Sequence, residues 1–211
     1  MSLIAKQGGG KSSAPIEAGT HPAVCVAIID IGEQFNEKYG KRQRKVIIQW
    51  EITDETITVD GKEVNRTMSQ TYTMSLSERS TLYRDLIAWR GKPFTDEELA
   101  GFDLNKILGV PCLLTVTHIE KNGNTYANIA GIAKAMKGMV IKPTLPLFKF
   151  DLDDDPLDKL DDMPAWIVDR IKASETYKER VAGDADDDGM EYDGQPELVD
   201  ITEDAGGELP F

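Results

Sequence analysis

The stretch VPCLLTVTHIEKNGNTYANIAGIAKA, residues 110–135, sets the tightest limit on what this chain can fold into. Asn122-Gly123 lies between two runs in which apolar and polar residues alternate. Asn-Gly readily takes the two positive-φ positions of a type I′ turn, so the pattern predicts a β-hairpin. Upstream, HPAVCVAIIDI (21–31), RKVIIQWEIT (44–53) and RTMSQTYTMS (66–75) read as three further strands. Asp60-Gly61 marks a turn between the last two.

Between the third and fourth strands the hydrophobic period changes. Ser77 is placed to cap a helix in which Leu82, Leu86 and Trp89 recur at three- and four-residue intervals, ending near Gly91. Thr95 and Glu98 have capping-box spacing and predict further helical turns over 95–109. Five strands with a helical insertion between the third and fourth is the order of an OB-fold, a five-stranded Greek-key barrel. An open meander with a covering helix, or a small β-sandwich, gives a similar pattern. The expected class is mainly β, with a flexible arm at 1–20 and the OB-fold domain at 21–150. Residues 151–211 are expected to be an acidic, largely disordered tail with a helix near 164–180. The segment 136–150 reads either as an extension over the barrel or as a linker.

Charge divides along the same line. The chain carries a net charge of −13, yet residues 151–211 hold 21 acids against 5 bases, whereas residues 1–150 hold 16 against 19. The β-rich part is mildly basic, so the overall acidity does not exclude a polyanionic ligand. No run approaches the ~20 apolar residues of a membrane span, and the first twenty residues lack the apolar core of a secretory signal. Cys25 and Cys112 have no paired spacing and read as buried thiols of a cytoplasmic protein.

Two motifs fail on context. AKQGGGKSS (5–13) matches a relaxed phosphate-loop pattern, but no strand precedes it and no good helix follows, so it reads as a basic arm. DADDDG (184–189) opens like a calcium loop, but Gln195 stands where the bidentate Glu belongs. His21 and His118 have no ligand-spaced neighbours, and no nucleophile motif occurs. No metal, cofactor or enzymatic activity is expected.

The binding signal lies in YGKRQRK (39–45), which sets Lys41, Arg42, Arg44 and Lys45 between the first two strands. Phe35 and Tyr39 accompany it, Trp50, Tyr72 and Tyr126 lie on neighbouring strands, and Arg66 and Lys121 add charge. Cations that follow a phosphate backbone, interleaved with rings on which bases stack, suit single-stranded nucleic acid. Trp50 shares its face with Val46, Ile48 and Ile52, and Tyr72 with Met68 and Met74, so both read as core before platform, whereas Tyr126, Phe35 and Tyr39 are the better candidates for exposed rings.

The C-terminal residues Glu203-Asp204-Ala205-Gly206-Gly207-Glu208-Leu209-Pro210-Phe211 resemble the acidic tip, ending Ile-Pro-Phe, of bacterial single-stranded DNA-binding proteins. AWRGKPFTDEELAGFDLNKILGVPCLLTV and NGNTYANIAGI are similar to phage-encoded proteins of that role. The resemblance implies an OB-fold that coats single-stranded DNA in replication, recombination and repair. It also implies a tip, Glu208, Leu209, Pro210 and Phe211, that docks on a partner polymerase, nuclease, helicase or recombinase, and it admits a homo-oligomer. This linker is not Gln/Gly-rich, and the island around Trp166 is either a second partner-binding helix or a segment packed back on the barrel. Rival readings are an adaptor or inhibitor whose acidic tail mimics DNA, and an accessory subunit that uses the barrel for protein contacts.

Overall fold

The computed structural model describes residues 14–37 and 40–187, with the side chains of 184–187 left aside. Six strands form one mainly antiparallel sheet: β1 (Gly19–Asn36), β2 (Lys41–Val59), β3 (Lys62–Thr73), β4 (Pro111–Lys121), β5 (Asn124–Lys134) and β6 (Phe148–Phe150). Their order is β3-β2-β1-β4-β5, with β6 added in parallel against β1. No ladder joins β3 to β5. Instead Arg66–Ser69 of β3, and Gly123 of the β4–β5 turn with Asn124–Ala127 of β5, line the two sides of a groove of about 710 Å³, which Ala14–Ile16 also border.

The turn chemistry explains the hairpins. Asp60 and Gly61 take φ of 51° and 77°, and Asn122 and Gly123 take 53° and 76°, the left-handed pair a tight antiparallel turn needs. Helix α1 (Thr81–Arg90) starts at Ser80, whose hydroxyl accepts from the Tyr83 N–H, and ends at Gly91 with φ of 68°. The cap is therefore Ser80 rather than Ser77, which contributes its carbonyl to the Ser80 N–H. Helix α2 (Asp96–Ala100) has the reciprocal Thr95–Glu98 capping box, and a 3₁₀ turn over Leu104–Ile107 follows it.

Two cores flank the central strands. On one face Val46, Ile48, Trp50 and Ile52 of β2 pack with Leu82, Leu86 and Trp89 of α1 and with Cys112, Leu114 and Val116 of β4. On the other, Ala27, Ile29, Ile31 and Ile47 are covered by Phe150, Leu152, Leu160, Met163, Ile167 and Ile171. That second cover comes from residues 148–187, which comprise β6, a 3₁₀ turn (Leu157–Asp162), α3 (Ala165–Ala173) and α4 (Glu175–Asp187). Each large apolar side chain sealed there contributes roughly 1.5–3 kcal/mol. The expected domain limit at 150 thus falls inside a packed layer, and the helix anticipated at 164–180 forms as two helices lying on the sheet.

Gly32 is where this layer meets β1. Its φ is 69°, in a bulge between Asp30 and Glu33, and an added Cβ would lie 2.7 Å from Leu152 Cδ2 and from Ser174 Oγ. Only glycine combines that backbone with that approach. Part of the expected flexible arm is anchored: Ile16 is buried, its carbonyl accepts from His118 Nε2 at 2.8 Å, and Gly19 and Thr20 pair with Val116 and Thr115 of β4. The expectations for residues 1–13 and 188–211, including the basic arm and the disordered tail with its Leu-Pro-Phe end, lie outside the described residues.

Candidate nucleic-acid interface

In a strand, residues two apart share a face, and residues directly opposite on neighbouring strands share it too. The register Lys45↔Thr73, Ile47↔Thr71, Gln49↔Ser69, Glu51↔Thr67 therefore places four β3 hydroxyl residues on one side of the sheet. Thr67, Ser69 and Thr71 are exposed, and Thr73 is half-buried beside Lys45. This is the face that α3 packs against. At its end a polar cleft of about 440 Å³ is lined by residues including Asn36, Gln43, Lys45, Thr71, Thr73 and Arg79.

The same alternation sorts the basic cluster. Lys41 and Lys45 fall on the hydroxyl-bearing face, whereas Arg42 and Arg44 fall on the other. Arg44 is consumed structurally: Nε donates to Asp30 at 2.9 Å, Nη1 reaches Asp153 at 2.7 Å, and Asp151 lies 3.9 Å away. Asp30 is itself buried, so this cation balances a charge the fold has taken out of water. Arg42 meets Glu175 at 3.5 Å. Arg66 pairs with Glu55 at 3.3 Å.

Lys45 and Arg170 differ. The Lys45 ammonium donates to Thr73 Oγ1 at 2.5 Å and to Gln43 Oε1 at 3.3 Å. Arg170, on α3, donates from Nη1 to Thr71 Oγ1 at 3.0 Å. Among the described residues neither has a carboxylate partner, and both are bound to neutral hydroxyls two residues apart on β3. Burial, and then the like charge of Arg170, hold the Lys45 pKa below its ordinary value. Two cations are thus brought together over a row of hydroxyls, and a negative charge placed between them would relieve their repulsion.

The expected aromatic platforms divide. Trp50 is 0% exposed and packs against Trp89 at 5.9 Å and Tyr72 at 6.5 Å between centroids. Tyr72 is 2% exposed and donates its hydroxyl to Asp85 at 2.8 Å. Both belong to the core, so the stacking role sketched for them is corrected: α1 closes over the face they share with Ile48. Phe35 is exposed, but its register with Arg42 puts it on the side away from Lys45. Tyr126 is exposed opposite Ile119, near Lys121 at the β4–β5 turn, and borders the β3–β5 groove with Arg66. Tyr39, Glu208, Leu209, Pro210 and Phe211 lie outside the described residues.

The candidate residues thus occupy separate surfaces. Lys41 and Lys45 join the β2–β3 face, Phe35 and Arg42 the opposite side of the hairpin end, and Tyr126, Lys121 and Arg66 the β3–β5 side. Sequence reasoning missed Arg170, Arg79 and the hydroxyl row. The alternation in RTMSQTYTMS carried the last signal, in its polar half rather than its apolar half. Among the described residues no cluster of three or more His, Cys, Asp or Glu side chains could hold a metal. Both cysteines are free and buried, and burial pushes the Cys25 thiol up to about 12, away from thiolate chemistry. No described helix is long and apolar enough to cross a membrane. A scan against protein-family models finds no match, and a search of curated proteins finds none either.

Proposed function

We propose that this chain is a non-enzymatic single-stranded DNA-binding protein of the OB-fold class, acting in phage or bacterial DNA replication and recombination. The strand order, with helices between β3 and β4, supports that class, in which oligonucleotides lie on the strand 2–3 face and against the β1–β2 and β4–β5 loops. The observation that carries the reading is the meeting of Lys45 and Arg170, without a carboxylate partner among the described residues, over the hydroxyls of Thr71 and Thr73. Lys41 and Arg79 extend the positive charge, and Tyr126 supplies a ring at the other loop. Sequence-independent contact with a backbone needs little more than such cations, donors and rings. The tip Glu208–Phe211 would recruit partner proteins, its acids steering encounter and Phe211 filling an apolar pocket.

Fluorescence anisotropy of labelled oligo-dT and of a matched duplex tests this. The expected result is preference for the single strand, with affinity falling as salt rises. With these four cations on phosphates, log K against log salt should slope near −3. Equal affinity for the duplex, or no binding at low salt, would overturn the proposal.

A further inference from the structure

Trp166 has no role in the fold so far described. It is 48% exposed and belongs to neither core cluster, although the helix carrying it buries Ile167 and Ile171. Among the described residues its indole has no hydrogen-bond or ring partner. A half-exposed indole offers a ring face to an incoming base, and what lies beside it decides whether that face can serve.

Its position on α3 indicates what. Trp166 and Arg170 are four residues apart, so they stand one above the other on one flank of the helix, about 6 Å apart along its axis. Arg170 turns that flank towards β3, where it meets Thr71. The apolar stripe of Ile167 and Ile171 lies beside this flank and fixes the helix's rotation. The N-terminal end of α3 is held next to Gln49, because Gln49, Pro164 and Ile167 line one groove. Gln49 is the cross-strand partner of Ser69. Moving from Arg170 to Trp166 therefore follows the hydroxyl row from Thr71 towards Ser69.

We propose that Trp166 is the stacking platform of the single-stranded DNA site, so that α3 forms one wall of the track and the β3 hydroxyls its floor. One base stacks on the indole while the neighbouring phosphates lie against Arg170 and Lys45. The residues following 150 thus complete the binding surface instead of serving only as a leash. This proposal rests on the single-stranded DNA reading above, and it makes the ring, not the strand aromatics, the principal base contact.

The full chain contains three tryptophans, and two of them, Trp50 and Trp89, are 0% and 3% exposed. Quenching of intrinsic fluorescence by unlabelled oligo-dT therefore reports on Trp166, while anisotropy of labelled oligo-dT reports binding separately. Wild type should be quenched, and Trp166→Phe should bind yet show little quenching. Trp166→Ala should weaken binding roughly tenfold, with an unchanged melting curve because the ring is outside both cores. Binding by anisotropy without quenching, with Trp166→Ala as tight as wild type, would overturn this proposal alone. No anisotropy change for wild type would remove the parent reading, and this one with it.

Discussion

The carboxylate of Glu51, fully buried at the centre of β2, accepts hydrogen bonds from the backbone N–H of Thr144 at 2.9 Å and of Leu145 at 3.0 Å. The Thr144 hydroxyl and Asn65 Nδ2 complete its shell. One side chain thereby pins the strap between β5 and β6 across the sheet, ahead of the point where the strap becomes the C-terminal layer.

Burial opposes ionisation of Glu51, but hydrogen bonds led by the Thr144 hydroxyl outweigh it and hold the pKa below the ordinary 4.5. A depressed folded-state pKa gives stability that is present above the unfolded value and lost as pH falls through the folded one. Urea midpoints should therefore decline as pH drops below about 4.5, and more gently in Glu51→Gln. Glu51→Ala strands two backbone N–H groups and should cost about 2–4 kcal/mol at neutral pH.

Neighbouring cations should separate by function. Arg44→Ala leaves Asp30 buried without its partner and should cost about 2–4 kcal/mol of stability, with little change in oligo-dT affinity at temperatures where the protein stays folded. Lys45→Ala and Arg170→Ala should do the reverse: near-native unfolding curves, several-fold weaker binding, and a shallower salt slope. Denaturation and anisotropy on the same three variants check both halves.

Gly32→Ala should destabilise by roughly 2–4 kcal/mol, combining a left-handed backbone with overlap against Leu152 and Ser174. The damage should be read first in protection of the C-terminal layer, by hydrogen exchange across 148–187.

Truncation should distinguish the two parts of residues 151–211. Ending the chain at 150 uncovers Ile29, Ile31 and Ile47 and should yield an aggregating or strongly destabilised product by size exclusion and melting. Ending it at 187 keeps the layer. That product should fold, bind oligo-dT at least as tightly as the full chain because competing acids are gone, and fail to recruit partners through Phe211.

Trp50→Ala should cost about 3–5 kcal/mol, the usual loss for a large ring removed from a packed core. Any effect on DNA binding should track unfolding.

Much of this architecture was already written in local chemistry. Asp60-Gly61 and Asn122-Gly123 specify their turns because their backbones reach positive φ at low cost. The Thr95–Glu98 box formed as its spacing foretold, since cap hydrogen bonds depend only on residues within one turn. The run VCVAIIDI held a further clue: a strand with no polar alternation is covered on both faces. The clue identifies two covers without naming the second.

The sequence by itself determined the five antiparallel strands, the turns and the division of charge, all of which follow from residues near one another in the chain, but not β6, which forms only by pairing with β1. Tertiary structure alone decided which cations remain available. Arg44 and Lys45 are adjacent and chemically alike, yet one lies among Asp30, Asp151 and Asp153 while the other meets Arg170 across Thr71 and Thr73. The pleat sends them to opposite faces, and distant segments of chain supply what each face meets. Electrostatic neutralisation depends on separation in space, which no local pattern encodes.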